Sequence, residues 1–268
     1  MMNNNNSEYI IEVENLVVEY GTRRVLDNIS FKVKKGEIFV ILGGSGCGKS
    51  TLLRTLVGLL RPSFGKIYMF GKDVTALNTQ QQIELRKRIG MCFQNSALFN
   101  SMTVGENVAL PLKEHTNLAD STIEIMTQIK LDLVGLGGCA HLYPSQLSGG
   151  MKKRAGIARA MALDPEIIFY DEPSSGLDPI VAAGLDQLIR KMQSTFNLTS
   201  VVVTHDLESV QIIADRVCLL HEGKIVAIGD LKEMGLHSDP YLRQFFARTP
   251  NPEENQTAPS ILDTFENM

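Results

Sequence analysis

The 268-residue sequence has few cysteines, no long apolar runs and no surplus of positive charge, and each shortage excludes something. Its four cysteines, Cys47, Cys92, Cys139 and Cys218, are far apart and form no C-x-x-C pair. That excludes a disulfide framework and a cysteine zinc site, and suits small buried residues in a reducing compartment. No stretch approaches the ~18 apolar residues that a membrane-spanning helix needs, so contact with a membrane is expected to pass through a partner. The opening Met1-Met2-Asn3-Asn4-Asn5-Asn6-Ser7 reads as a polar lead (residues 1–8) rather than a secretion signal. A net charge of −4 argues against a general nucleic-acid binder. That charge sits at one end: residues 249–268 hold four acids (Glu253, Glu254, Asp263, Glu266) and no Lys or Arg, so the remaining 26 acids balance the 26 bases. Apolar content of 44% and charged content of 21% are those of a globular protein, and the length allows one large core with an inserted subdomain.

One stretch carries chemistry by itself. Gly43-Gly44-Ser45-Gly46-Cys47-Gly48-Lys49-Ser50-Thr51 follows the apolar run Ile38–Leu42 and precedes Leu52, Leu53, Leu56 and Leu60 at helical spacing. The order is strand, glycine loop, helix. A phosphate chain needs donors on every side at close range, and glycines let backbone N–H groups turn inward where a Cβ would obstruct them. In the pattern G-x-x-x-x-G-K-S, Lys49 reaches the β and γ phosphates, Ser50 binds Mg²⁺, and the helix directs its positive end at the anion. Cys47, inside the loop, is either an oxidation-sensitive thiol or an inert small residue.

The rest of the chain is read against this loop. From Tyr9 to Val33 apolar and polar residues alternate, which predicts antiparallel strands with one wet face and a turn at Gly21-Thr22-Arg23. Tyr20 is placed either to stack on a flat base or as a half-buried strand residue. Arg61–Gly65 reads as a chain break, Lys66–Lys72 as a strand with a turn, Gln80–Arg88 as a helix, and Ile89–Phe93 as a short strand ending at Gln94. Gln94 is a solvated loop residue or, at a strand edge beside a phosphate loop, a ligand for Mg²⁺ or water. Residues 100–162 lose strand alternation and read as an inserted helical subdomain ending at Leu147-Ser148-Gly149-Gly150. There a Ser-Gly-Gly turn opens a helix, and on this motif alone a plain capped helix is the simpler reading.

The strand Glu166–Tyr170 runs into Asp171-Glu172-Pro173, two acids at the carboxyl end of an otherwise apolar strand, where α/β sheets bind ligands. Beside a phosphate loop the first suits Mg²⁺ and the second a general base for water. Ser174–Pro179 leads into a helix with Val181, Leu185, Leu188, Ile189 and Met192 on its buried face, and Pro179 suits its first turn. The strand Ser200–Thr204 ends at His205, a core histidine or, with the other strand ends, part of one site. Two further strands, Arg216–Leu220 and Lys224–Ile228, and short helices complete a unit spanning residues 9–248.

Tyr20, the loop from Gly43 to Thr51, Gln94, Leu147-Ser148-Gly149-Gly150, Asp171-Glu172, Ser175-Gly176-Leu177-Asp178 and His205 stand in the order and spacing of an ATP-binding cassette ATPase, which the chain resembles over roughly residues 9–235. The resemblance implies an α/β fold: a RecA-like mixed and parallel sheet core, an antiparallel β subdomain and an inserted helical subdomain. It implies that Tyr20 stacks on adenine, Gln94 senses the γ-phosphate and Mg²⁺, Glu172 polarises water and His205 holds the transition state. It also implies that Ser148 and Gly150 bind the γ-phosphate of ATP held by a second copy, with Asp178 at the dimer interface.

Finer marks resemble the ATPase subunits of Mla-type (Mce-associated) lipid transporters. They are Met151 after the Ser-Gly-Gly turn, Phe93–Phe99, Asn107–Thr116 and Tyr241-Leu242-Arg243-Gln244-Phe245-Phe246. That likeness implies partners: a second copy, two membrane permeases, an Mce-type lipid-binding protein and a small regulatory subunit, at the cytoplasmic face of a bacterial inner membrane. Other expectations are an ATPase serving an amino-acid or ion importer, a soluble non-transport cassette, or a nucleotide-binding regulator without turnover. The acidic tail, rich in Pro, Asn and Glu, reads as solvated, while Ile261, Leu262 and Phe265 at helical spacing allow it to dock on a partner.

Overall fold

The computed structural model describes residues 8–249, so the tail positions Ile261, Leu262 and Phe265 lie outside the described residues. Alternating apolar residues pair β1 (Tyr9–Tyr20) with β2 (Arg23–Lys34) as an antiparallel hairpin. β4 (Phe64–Met69) adds to the other side of β1 and β5 (Lys72–Asp73) to β4. Ile11, Val13, Leu16, Val18, Leu26, Ile29 and Val33 are buried on its inner face and charged residues line the outer one, as one-sided sheets require. β4 begins at Phe64, so Phe64 and Gly65 belong to a strand rather than to the expected break. Val17 pairs with Phe64 and draws the segment into register.

The second sheet runs in the order β10-β9-β3-β8-β7-β6. β3 (Ile38–Leu42), β6 (Ile89–Cys92), β7 (Ile167–Asp171), β8 (Thr199–Thr204) and β9 (Arg216–His221) are mutually parallel, with β10 (Lys224–Gly229) antiparallel at the edge. β3 is buried at all five positions and β8 at all six, which explains their unbroken apolar runs: both faces are covered. Phe39, Ile41, Phe169, Val201 and Val203 face α1 (Lys49–Leu56) and the antiparallel sheet. Ile38, Val40, Ile168, Tyr170 and Val202 face the helical side. Leu52 and Leu53 of α1 are fully buried, each contributing about 1.5–3 kcal/mol.

Three helices stand between β6 and β7: α3 (Val104–His115), α4 (Asp120–Leu133) and α5 (Gly149–Ala160), after the short α2 (Thr79–Arg86). They are followed by α6 (Pro179–Phe196), α7 (Leu207–Ile213), α8 (Leu231–Leu236) and α9 (Pro240–Ala247). The 100–162 stretch is thus helical as its pattern indicates. The parallel order puts the carboxyl ends of β3, β7 and β8, and with them the polar groups that follow, along one edge.

Candidate functional site: a nucleotide cradle at the carboxyl ends of the sheet

The glycine loop joins β3 to α1 as its sequence indicates. Gly43 and Gly48 are there for space: a Cβ at Gly43 would lie 2.3 Å from the Leu220 carbonyl oxygen, and one at Gly48 2.7 Å from Leu26, where the backbone also turns through a φ of 108°. α1 has Gly48 at its N-cap, no capping side chain and no acid in its first turn, so its leading N–H groups remain for an anion. α2, α3, α5, α6, α7, α8 and α9 each carry a side-chain cap. Lys49 is buried and donates to the carbonyls of Gly43 (2.8 Å) and Gly44 (2.9 Å), which holds its amine over the loop.

Across from it, β7 extends through Asp171, one residue further than expected, and its register sets Asp171 beside Val203 of β8. Glu172 then leaves the strand in the left-handed region, φ 47°, with its N–H bonded to the Val203 carbonyl at 2.9 Å. Non-glycine residues occupy that region at a cost, and it is found at functional sites. The bend brings the buried Glu172 carboxylate within 4.0 Å of the Lys49 amine and within 2.9 and 3.0 Å of His205 Nδ1. Lys49, Glu172 and His205, whose extremes are 156 positions apart in the chain, therefore form one cluster. Gln94, exposed, donates to the Ser175 hydroxyl at 3.4 Å, tying the β6 end to the turn after Glu172.

Burial, and next the Glu172 charge, raise the Asp171 carboxyl above the usual range, and its Oδ1 is buried without a hydrogen-bond partner among the described residues. A hydrated cation would satisfy both, so the residues suit Mg²⁺, with Ser50 on the first turn of α1 as a second oxygen donor. Cys47 is buried and burial pushes its thiol up, which favours the inert reading over the oxidation-sensitive one.

Two contributors were not foreseen. Lys153, one turn into α5, donates to the Gln94 carbonyl (2.6 Å) and the Glu172 carbonyl (3.2 Å), linking the helical layer to both. Burial lowers its pKa. Tyr241 of α9 stacks on His221 with ring centroids 3.5 Å apart and a 23° interplanar angle. Its hydroxyl reaches the Gly44 backbone, so α9 closes one wall of an open chamber of about 1040 Å³ beside the loop. The available signals were the cation three residues after Gly150 and the aromatics of Tyr241–Phe246, a segment read only as a family mark.

Of the expected residues that chamber is lined by Gly44, Ser45, Gly46, Cys47 and His205; Lys49 and Glu172 lie behind it, and Tyr20, 48% exposed at the β1 end, Ser148, Gly149, Gly150 and Asp178 are not among its lining. Ser148 caps α5 by accepting from Met151 N–H, as the plain reading of that turn expected. Gly149 is exposed, whereas the buried Gly150 packs on α6: a Cβ on Gly150 would meet Val181 Cγ1 at 2.5 Å. Asp178 caps α6 through Ile180 and Val181 N–H at 3.1 and 3.0 Å and is otherwise exposed.

A glycine cradle, a buried lysine and a carboxylate–histidine pair at the ends of adjacent parallel strands define a nucleotide-hydrolysing α/β protein. The sequence profile described as "ABC transporter" matches residues 26–175, and the chain belongs to that family of ATP-binding cassette ATPases. It is 44% identical over 239 residues to the "Intermembrane phospholipid transport system ATP-binding protein MlaF" of Haemophilus influenzae, covering 89% of this chain and 90% of that one. It is 41% identical over 235 residues to the "Probable ribonucleotide transport ATP-binding protein mkl" of Mycobacterium leprae, covering 88% of this chain and 68% of that one. Among solved structures it is similar to the dimeric cassette MJ0796 bound to ADP and Pi, with TM-score 0.76 and 30% identity over 82% of this chain and 98% of that one. It also resembles cbiO1 of Clostridium perfringens, part of the transporter complex cbiONQ, with TM-score 0.79 and 31% identity over 91% and 96% of the two chains.

Proposed function

We propose that this chain hydrolyses ATP between two copies of itself and so drives phospholipid transport between bacterial membranes. The observation that carries the reading is the division of labour among its groups. Lys49, Asp171, Glu172 and His205 gather at one edge of the sheet, while Ser148, Gly149, Gly150 and Asp178 sit at helix starts in another layer. ATP clamped between the two sets from two chains gains donors on both sides.

In that clamp the N–H groups of Gly44 to Thr51 and the Lys49 amine surround the phosphates, Tyr20 stacks on the base, and Ser148 and Gly150 come from the second copy. Ser50, Gln94 and Asp171 hold Mg²⁺, which when bound neutralises phosphate charge. Glu172 takes the proton of the attacking water, and His205, held by the Glu172 carboxylate, stabilises the charge that develops beyond it.

Two surfaces support membrane and regulatory partners. A groove lined by Met91, Phe93, Phe99, Leu110 and Pro111, edged by Arg86, Glu114 and Arg159, suits a short cytoplasmic helix of a permease. Exposed Ile125, Ile129 and Leu133 on α4, beside Phe196 of α6, suit a small regulatory subunit. Among the described residues no helix is long and apolar enough to cross a membrane, so attachment to the inner membrane runs through the permease. An Mce-type lipid-binding protein completes the assembly.

The names of the relatives divide over cargo, phospholipid against ribonucleotide, so the test must read cargo and turnover together. Tagged full-length chain purified with its membrane partners should carry phospholipid by mass spectrometry. Glu172→Gln should lower hydrolysis by about 10² to 10⁴ and accumulate an ATP-bound dimer. Bound ribonucleotides or amino acids in place of lipid would overturn the cargo, and undiminished turnover would remove Glu172 from its role.

A further inference from the structure

α6 presents an apolar face to the core through Leu185, Leu188, Ile189 and Met192, and at the flank of that face stands Asp186, also buried at 1% exposed. Its Oδ2 accepts from the Ser209 hydroxyl at 2.7 Å, and its Oδ1 is buried with no hydrogen-bond partner among the described residues. A leucine would fill the place without leaving an oxygen unsatisfied, an omission that costs about 1–3 kcal/mol. A buried group that weakens the fold in this way calls for another reason to be there.

The neighbours of Ser209 supply one. Besides Asp186, Ser209 lies 3.1 Å from Asp206 Oδ2 and 3.2 Å from the Ser174 hydroxyl. Ser174 is buried two residues beyond Glu172, in the segment that leads to Asp178. Asp206 follows His205 and caps α7 by accepting from Glu208 N–H at 2.9 Å. One buried hydroxyl thus joins α6, the turn after the general base and the turn that carries the histidine. A serine has one hydrogen to donate, so Asp186 and Asp206 compete for it, and the hydrogen of Ser174 is left to point at Ser209.

We propose that Asp186 is a positioning residue for hydrolysis: through the Ser209 hydroxyl it fixes Ser174, next to the Glu172 turn, relative to Asp206, next to His205. The contact of His205 Nδ1 with both Glu172 oxygens then follows from two turns locked to the same helix. Since α6 starts at Asp178, the same bond relays any shift of that helix start, on dimer formation, to the catalytic pair. Raising of the Asp186 carboxyl to about 6, by burial first and the Asp206 charge among the other causes, accords with this crowded arrangement.

This inference rests on the hydrolytic reading above, and the experiment keeps the two apart. Steady-state ATP hydrolysis is measured on full-length wild type, Asp186→Asn, Ser209→Ala, the double variant and Glu172→Gln, together with thermal midpoints and ATP affinity. Asp186→Asn and Ser209→Ala should each lower kcat about 10-fold with KM for ATP within about twofold, the pattern of an interaction used only in the transition state. The double variant should be no slower than either single one, because both remove one bridge. Asp186→Asn should melt no lower than wild type, whereas a residue that only holds the fold together would melt lower at unchanged kcat per folded molecule. Near-wild-type kcat in both single variants, or effects that multiply, overturns the positioning role while Glu172→Gln remains inactive. Should Asp186→Asn not fold, Ser209→Ala decides alone. Turnover that persists in Glu172→Gln instead defeats the underlying reading.

Discussion

The glycine cradle and the Ser-Gly-Gly helix start are built in opposite ways. The cradle end is buried and internally connected: Lys49 is tied to its own loop, Glu172 to His205, and the Glu172 backbone to β8 and Lys153. The Ser-Gly-Gly end is a helix start whose one polar side chain, Ser148, is spent on capping, and whose Gly149 faces solvent. The first can hold an anion from within one chain. The second offers backbone donors and nothing to oppose them, so it can only add to a site completed elsewhere. On the proposed reading, chemistry is preorganised in one region, and control over when it acts is left to the other.

The largest expected effect comes from breaking the first region. Lys49→Ala should abolish measurable ATP binding and lower turnover by more than about 10³, since it removes the buried cation from the phosphate cradle. Equilibrium binding of a fluorescent ATP analogue reads this directly, and normal affinity would contradict the cradle.

Ser148→Arg attacks the second region and should behave differently. It should leave ATP affinity of the separate chain within about threefold while lowering turnover about 10²-fold, because on the proposed reading it blocks the surface that a second copy's nucleotide needs. Mixing the two inactive variants sharpens the contrast. In a mixed dimer one site carries both defects and the other carries neither, so activity should reappear on mixing. No recovery, with mixed dimers demonstrated by differential tags, would mean that each chain works alone.

A smaller effect separates the buried supports of the cradle from its surface partner. Asp186 holds its proton up to about 6 in the fold and at the ordinary carboxylate value near 4 in the unfolded chain. The folded state therefore binds more protons between these values, and this group's contribution to stability is fully present below pH 4 and lost as pH rises through 6. About two pKa units correspond to about 2–3 kcal/mol. Urea unfolding of wild type and Asp186→Asn from pH 4 to 8 should give a difference curve that moves by up to that amount toward the variant as pH rises. A flat curve would show Asp186 to be solvated.

The same contrast explains what could be seen in the sequence. The cradle lies in a continuous stretch whose glycines, lysine and flanking periodicities each follow from a local rule, so Gly43–Thr51 and the β3–α1 order could be read directly. The apolar runs of β7 and β8 announced strands buried on both faces, and hence the edge where Asp171, Glu172 and His205 meet. What could not be read depends on tertiary placement. The positive φ of Glu172 arises where the chain leaves β7, not from its residue type. Lys153 looked like one of three consecutive bases on a helix, yet it turns inward to the carbonyls of Gln94 and Glu172, while its neighbour Arg154 reaches those of Val134 and Gly184. Asp186 lay in a heptad-like apolar pattern that gave no reason to expect a carboxylate inside, and Phe64 joined β4 through pairing with a strand about fifty residues earlier.

The smallest effect concerns Asp178, where the two regions meet. Its Oδ1 caps α6, and a lost cap costs about 1 kcal/mol. The proposed interface role would need its charge, whereas the cap needs only an oxygen. Asp178→Asn keeps an acceptor at the same reach and Asp178→Ala removes it, so the pair divides the two uses. The alanine variant should lose about 1 kcal/mol by urea unfolding and the asparagine variant only a few tenths. If asparagine restores stability yet turnover stays about as low as in alanine, the carboxylate acts across the dimer. If turnover returns with stability, Asp178 matters only because it starts the helix on which Gly150 and Asp186 both depend.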